Sequence, residues 1–158
     1  MRPPANANLS RGQFRQLDTD LRAGGFTHPI AGSAPTAPGF IVSDPGEKRY
    51  AMGVSRAADP QRGYSPSRLP QFVRNGRVAF SQPGTYLGGW LESDKGTGKT
   101  EAVLDRSRKY PDLPSANRAM RRNDQEAAYD LTQKNYIYNA HHPKNVSRIW
   151  ENLGRLGQ

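Results

Sequence analysis

Residues Ser93 to Thr100 read Ser-Asp-Lys-Gly-Thr-Gly-Lys-Thr, a run that ends like the loop with which many nucleotide-binding proteins hold phosphate. In that loop a leading glycine opens a tight turn, backbone amides cradle the phosphates, and the Lys and Thr reach phosphate and magnesium. Read so, Lys99 and Thr100 would make the chain a nucleotide-binding ATPase. Two features argue against it. Ser93 stands where the glycine belongs, and the loop must be followed by a helix whose amino end faces the anion. Instead Glu101-Ala102-Val103-Leu104-Asp105-Arg106-Ser107-Arg108 reads as a strand, so Asp94 to Lys99 is expected to be the polar tip of a β-hairpin.

The second constellation is basic. Between Asp105 and Arg122 lie Arg106, Arg108, Lys109, Arg118, Arg121 and Arg122 against Asp105 and Asp112. On a strand Arg106 and Arg108 share a face, and on a following helix Arg118, Arg121 and Arg122 are neighbours, so one anion-binding patch is expected. Tyr86, Trp90 and Tyr110 are close to it in sequence and are candidates for stacking on bases. The alternative is that the aromatics are core and the arginines a solvated face.

Other chemistry finds less support. The histidines are His28 and the pair His141-His142, with no metal-binding spacing and no cysteine to help, so no metal and no cofactor are expected. No nucleophile motif is present, although Asp105, Asp130 and Glu101 could assemble into a hydrolase site only in three dimensions. Gly88-Gly89 inside a strand marks a close approach of another group.

These residues need elements to hold them. Ser10 and Gln13 have capping-box spacing, which predicts a first helix carrying Phe14, Leu17 and Leu21 and stopped by Gly24-Gly25. Phe26 to Pro38 reads as a loop. Gly39–Ser43 and Arg49–Ser55 read as two strands joined in a hairpin by Asp44-Pro45-Gly46-Glu47. A short helix follows Ser65-Pro66 with Leu69, Phe72 and Val73 on one side, ending at Asn75-Gly76. After the Tyr86–Arg108 hairpin, Asp112 caps a third helix, read as running to about Ala127 with Leu113, Ala116 and Met120 as its apolar stripe. Short strands follow at Ala128–Leu131 and Tyr136–Tyr138. Val146, Ile149, Trp150, Leu153 and Leu156 then recur at helical spacing, and Ile149, Trp150 and Leu153 are a candidate partner interface. The fold class is α+β: a hairpin-rich antiparallel sheet with short helices on it. Residues 1–38 are set apart as a first helix and a Pro/Gly-rich arm, and 39–158 as a single domain.

Composition agrees with a loop-rich binding protein. The chain has 158 residues, 34% hydrophobic, with 16 glycines and 13 prolines. Lys and Arg number 23 against 14 Asp and Glu, a net +9, which favours an anionic partner such as nucleic acid or an acidic protein surface. No membrane span is expected.

The run Pro83-Gly84-Thr85-Tyr86-Leu87-Gly88-Gly89-Trp90, then Val103-Leu104-Asp105-Arg106-Ser107 and Ala127-Ala128-Tyr129-Asp130-Leu131, resembles a pattern in small proteins of actinobacteria and their phages. Gly25-Phe26-Thr27 and Gly39-Phe40-Ile41-Val42 resemble the opening of such proteins. The resemblance implies no activity or catalytic residue. It implies a phage or mobile-element origin, hence a non-enzymatic virion component or an inhibitor of host machinery, in the bacterial cytoplasm or the virion.

Overall fold

A computed structural model describes residues 9–30, 38–143 and 145. The described residues form seven strands and four helices, an α+β fold whose strands pair antiparallel. The chain divides into two compact units: residues 1–34 with 46–107, and residues 35–45 with 108–158.

Unit 1 starts with α1 (Arg11–Arg22). The Ser10 hydroxyl accepts from the Gln13 amide at 3.1 Å and the Gln13 carboxamide oxygen accepts from the Ser10 amide at 2.8 Å, so the expected capping box forms. Leu17 and Leu21 turn inward into the core. β1 (Gly25–Pro29) follows at once and pairs with β4 (Thr85–Ser93), Phe26 opposite Gly89 and Thr27 opposite Gly88. The expected loop from Phe26 is therefore a strand for its first four residues. Gly-Phe-Thr-His-Pro has too few apolar residues to announce a strand, and its extended state depends on the partner β4 supplies. α1 and β1 are consequently core elements of unit 1 and not parts of an arm.

β3 (Lys48–Ala51) pairs with β5 (Thr100–Tyr110), while β2 (Phe40–Ser43) pairs with β6 (Ala127–Asp130). This corrects the expected β2–β3 hairpin. A Pro-Gly turn reverses the chain locally, but four-residue strands take whichever partner completes their ladder, and here the two go to different units. α2 (Arg68–Asn75) and α3 (Arg77–Phe80) complete unit 1, whose core gathers Leu17, Leu21, Ile30, Leu69, Val73, Phe80, Leu87 and Leu104. Arg68 is buried, its guanidinium donating to the carbonyls of Gly63 and Pro60 and lying 4.5 Å from the Tyr50 ring centroid.

In unit 2, α4 (Leu113–Arg122) packs on β2 and β6, and β7 (Asn135–Tyr138) pairs with β6, Ala128 opposite Ile137 and Tyr129 opposite Tyr136. Among the described residues its core gathers Val42, Ala116, Ala119, Met120 and Ala128, with Phe40 and Tyr110 at the margin. α4 stops at Arg122, short of the expected Ala127, because Asn123-Asp124 turns the chain and Asp124 takes φ 52°. Leu113, expected in the apolar stripe, is exposed, and Ala119 fills that face instead. The candidate interface of Ile149, Trp150 and Leu153 lies outside the described residues.

Candidate anion-binding face

The Ser93–Thr100 run is the tip of the β4–β5 hairpin. The Asp94 amide donates to the Lys99 carbonyl at 2.8 Å and the Gly98 amide to the Asp94 carbonyl at 2.8 Å. The amide of Gly96, which would have to face a phosphate, donates to the Asp94 carboxylate at 2.7 Å. Thr100 meets Ser93 across the ladder, hydroxyl to hydroxyl at 3.0 Å, and continues into a strand. The loop thus carries its own carboxylate where a nucleotide-binding loop leaves amides open to phosphate.

The three acids of the hydrolase reading have separate structural partners. Glu101 joins Glu47 and Glu92 around Arg49. Asp130 accepts from the amides of Thr132 and Gln133 in the β6–β7 turn. Asp105 is buried on β5 beside Gly88, and a Cβ at residue 88 would collide with its carboxylate oxygen. Gly89 makes the matching allowance on the other side of β4: a Cβ there would meet the Phe26 ring at 2.6 Å. The glycine pair is thereby explained by close packing from both faces of one strand.

In unit 1 the basic residue of the expected patch is Arg106, half-buried on β5. Unit 2 holds the other five. Arg108 is ion-paired with the buried Asp44 at 3.1 Å, and the Lys109 stem lies over Gly39. Arg118, Arg121 and Arg122 are exposed on α4. The helix presents them because Asp112 caps its start, accepting from the Ser115 amide at 2.8 Å, while Ala116, Ala119 and Met120 turn toward β2 and β6. Those Ser115 hydrogen bonds, with Arg118 nearby, hold the Asp112 carboxyl below its ordinary range. Arg121 and Arg122 complement the carboxyl end of the helix dipole. Ion pairs engage Arg22, Arg49 and Arg108, but none engages Arg118, Arg121 or Arg122 among the described residues.

The aromatic candidates divide. Tyr86 is 1% exposed, so it is a core residue and cannot stack on a base; burial also pushes its hydroxyl pKa up. Trp90 is half-buried on β4, opposite Gly25. Tyr110 is half-buried and its hydroxyl accepts from Arg122 at 3.3 Å, which puts an aromatic against the arginine face. The Nε2 of His141 accepts from Arg121 at 2.7 Å, since an arginine can only donate. Two exposed aromatics, Tyr136 and Tyr138, are legible in the sequence only as strand residues. Their i, i+2 spacing is the signal that both occupy one face.

Among the described residues no group of three or more acidic, histidine or cysteine side chains could hold a metal ion, and no helix is long and apolar enough to cross a membrane. No known protein family, curated protein or solved structure matches this chain.

Proposed function

We propose that this protein binds an anionic partner, nucleic acid foremost, through the exposed arginines of α4. The observation that carries the reading is that Arg118, Arg121 and Arg122 stand exposed together on one helix outside any ion pair among the described residues, while Arg22, Arg49 and Arg108 are each ion-paired with a carboxylate. Arranged cations of this kind attract phosphates through release of condensed counterions. A net charge of +9 adds long-range attraction. The resemblance to proteins of actinobacteria and their phages supports a place for that binding in a virion component or an inhibitor of host machinery. The hairpin tip favours binding over nucleotide hydrolysis, since Asp94 occupies the amides that a phosphate would need.

The test is fluorescence anisotropy of labelled single-stranded and duplex DNA and RNA across a salt series. Wild-type affinity is expected to fall steeply with salt. In the triple variant Arg118→Ala, Arg121→Ala, Arg122→Ala the slope of log K against log salt should shrink by about 2 for a single strand, at about 0.7 for each phosphate that the variant leaves unneutralised. Absence of binding by the wild type at low salt would overturn the reading and direct attention to an acidic protein surface.

A further inference from the structure

Asn139 and Asn145 are buried polar side chains in the segment after β7, and both fix its backbone. The Asn139 amide donates to the Glu126 carbonyl at 2.8 Å and its carboxamide to the Gln125 carbonyl at 3.0 Å. The Asn145 carboxamide spans the carbonyls of Glu126 at 3.0 Å and Asn139 at 2.7 Å. These satisfied buried groups tie the turn after β7 to the stretch that leaves α4. The His141 amide in turn donates to the Asn139 side-chain oxygen at 3.0 Å, so His141 is held at the carboxyl end of α4 with its ring against Arg121.

Two guanidinium groups of the α4 face thus have side-chain acceptors: Arg121 donates to His141 Nε2 at 2.7 Å and Arg122 to the Tyr110 hydroxyl at 3.3 Å. The acceptors differ in kind. A hydroxyl oxygen keeps its lone pairs, whereas a proton on Nε2 makes both ring nitrogens donors and the ring a cation. Arg121 then loses its acceptor and faces a like charge, so its guanidinium turns away from the ring. The charged groups on the segments around the ring are Arg118, Arg121 and Arg122 of α4, Asp124 and Glu126 past its end, and His142 next in the chain. Among the described residues Arg121 is the one the imidazole touches. His142 is the other member of this set whose residue type changes charge between about pH 5 and 8.

We infer that His141 is a proton switch on the arginine face of α4: uptake of one proton at Nε2 frees Arg121 for a phosphate and sets an imidazolium beside it. This rests on the proposed binding to nucleic acid and adds its regulation, with binding tighter in acid. The linkage is reciprocal, so a bound polyanion favours the protonated ring. Arg122, held by a hydroxyl, is the built-in comparison.

Anisotropy of a labelled oligothymidylate at about pH 5.5 and about pH 8, at fixed ionic strength, compares wild type with His141→Gln, His142→Gln and the triple arginine variant, each checked for native circular dichroism. Wild type should bind on the order of three-fold or more tighter in acid, with a salt slope steeper by about 0.7 for one added phosphate contact. His141→Gln, whose carboxamide oxygen can accept from Arg121 but takes up no proton, should lose that gain, and His142→Gln should keep it. In NMR of the wild type the Arg121 side-chain signals should move with the protonation of His141, and the oligonucleotide should shift that protonation to higher pH. The same acid gain in folded His141→Gln, with the arginine variant still impaired, would overturn the switch and leave the α4 reading standing. So would Arg121 signals that ignore the His141 titration. Failure of the wild type to bind at either pH would overturn both.

Discussion

Unit 1 fills its interior with large side chains, Leu21, Ile30, Leu69, Phe80, Leu87 and Leu104 among them, whereas the described core of unit 2 gathers Val42, three alanines and one long side chain, Met120. Unit 1 ties Arg22 to Asp18 and surrounds Arg49 with three glutamates. Unit 2 neutralises Arg108 with Asp44 but leaves the α4 arginines outside any described ion pair, and exposes two tyrosines on β7. Three alanines let α4 sit close on β2 and β6, with Met120 filling the space between them. The contrast directs the search for function to the exposed arginines and tyrosines of unit 2.

The sharpest way to break this comparison is Gly88→Ala. The new methyl would collide with the buried Asp105 carboxylate inside unit 1, so a loss of about 3 kcal/mol or more in urea-induced unfolding is expected. A cost well below 1 kcal/mol would mean that β4 and β5 tolerate rearrangement there and that unit 1 is looser than its packing implies.

A middle-sized effect should come from Tyr64→Phe. The Tyr64 hydroxyl donates to Asp18 at 2.7 Å, and the Arg22 guanidinium lies 5.3 Å from the ring centroid. Losing a hydrogen bond to a charged acceptor should cost about 2 kcal/mol at neutral pH. Burial first, and the Asp18 carboxylate second, push the Tyr64 pKa far above its ordinary value. A group whose pKa is raised on folding contributes stability that is complete below the unfolded value, about 10, and is lost as pH rises above it. Wild type should accordingly lose stability more steeply than Tyr64→Phe above about pH 10. Tyr86, also raised by burial, leaves part of that alkaline limb in the variant. Parallel alkaline limbs in the two proteins would show that Tyr64 ionises as readily folded as unfolded.

The smallest effect has the opposite sign and belongs to unit 2. Lys134 takes φ 54° in the turn before β7, a left-handed conformation that strains a side chain with a Cβ. Lys134→Gly should stabilise the protein by roughly 0.5–1 kcal/mol in thermal denaturation. Destabilisation would mean that the Lys134 side chain contributes more to unit 2 than its backbone costs.

Much of the local structure is legible in the residues themselves. The Ser10/Gln13 box, the Asp112 cap and the polar tip at Asp94 each work through neighbours within a few residues, so sequence spacing is enough. The resemblance pattern also acquires a physical meaning. Gly25-Phe26-Thr27 pairs with Gly88-Gly89-Trp90, Asp105 lies at Gly88, and Phe40-Ile41 pairs with Tyr129-Asp130. Its pieces are strand partners in this fold. The partners of β2 and β3 and the strand at Phe26 are not legible in this way, because partner choice for a four- or five-residue strand depends on segments tens of residues away.

The basic, cysteine-free composition, the α+β alternation, the helix caps and the hairpin at Ser93–Thr100 follow from residue type and short-range spacing alone. Tertiary structure alone decided that Tyr86 is core and Tyr136 and Tyr138 are exposed, that Arg108 is neutralised by Asp44, and that Arg121 meets His141. The physical reason is that exposure and charge compensation are properties of what lies across a sheet or beneath a helix, and those neighbours are distant along the chain.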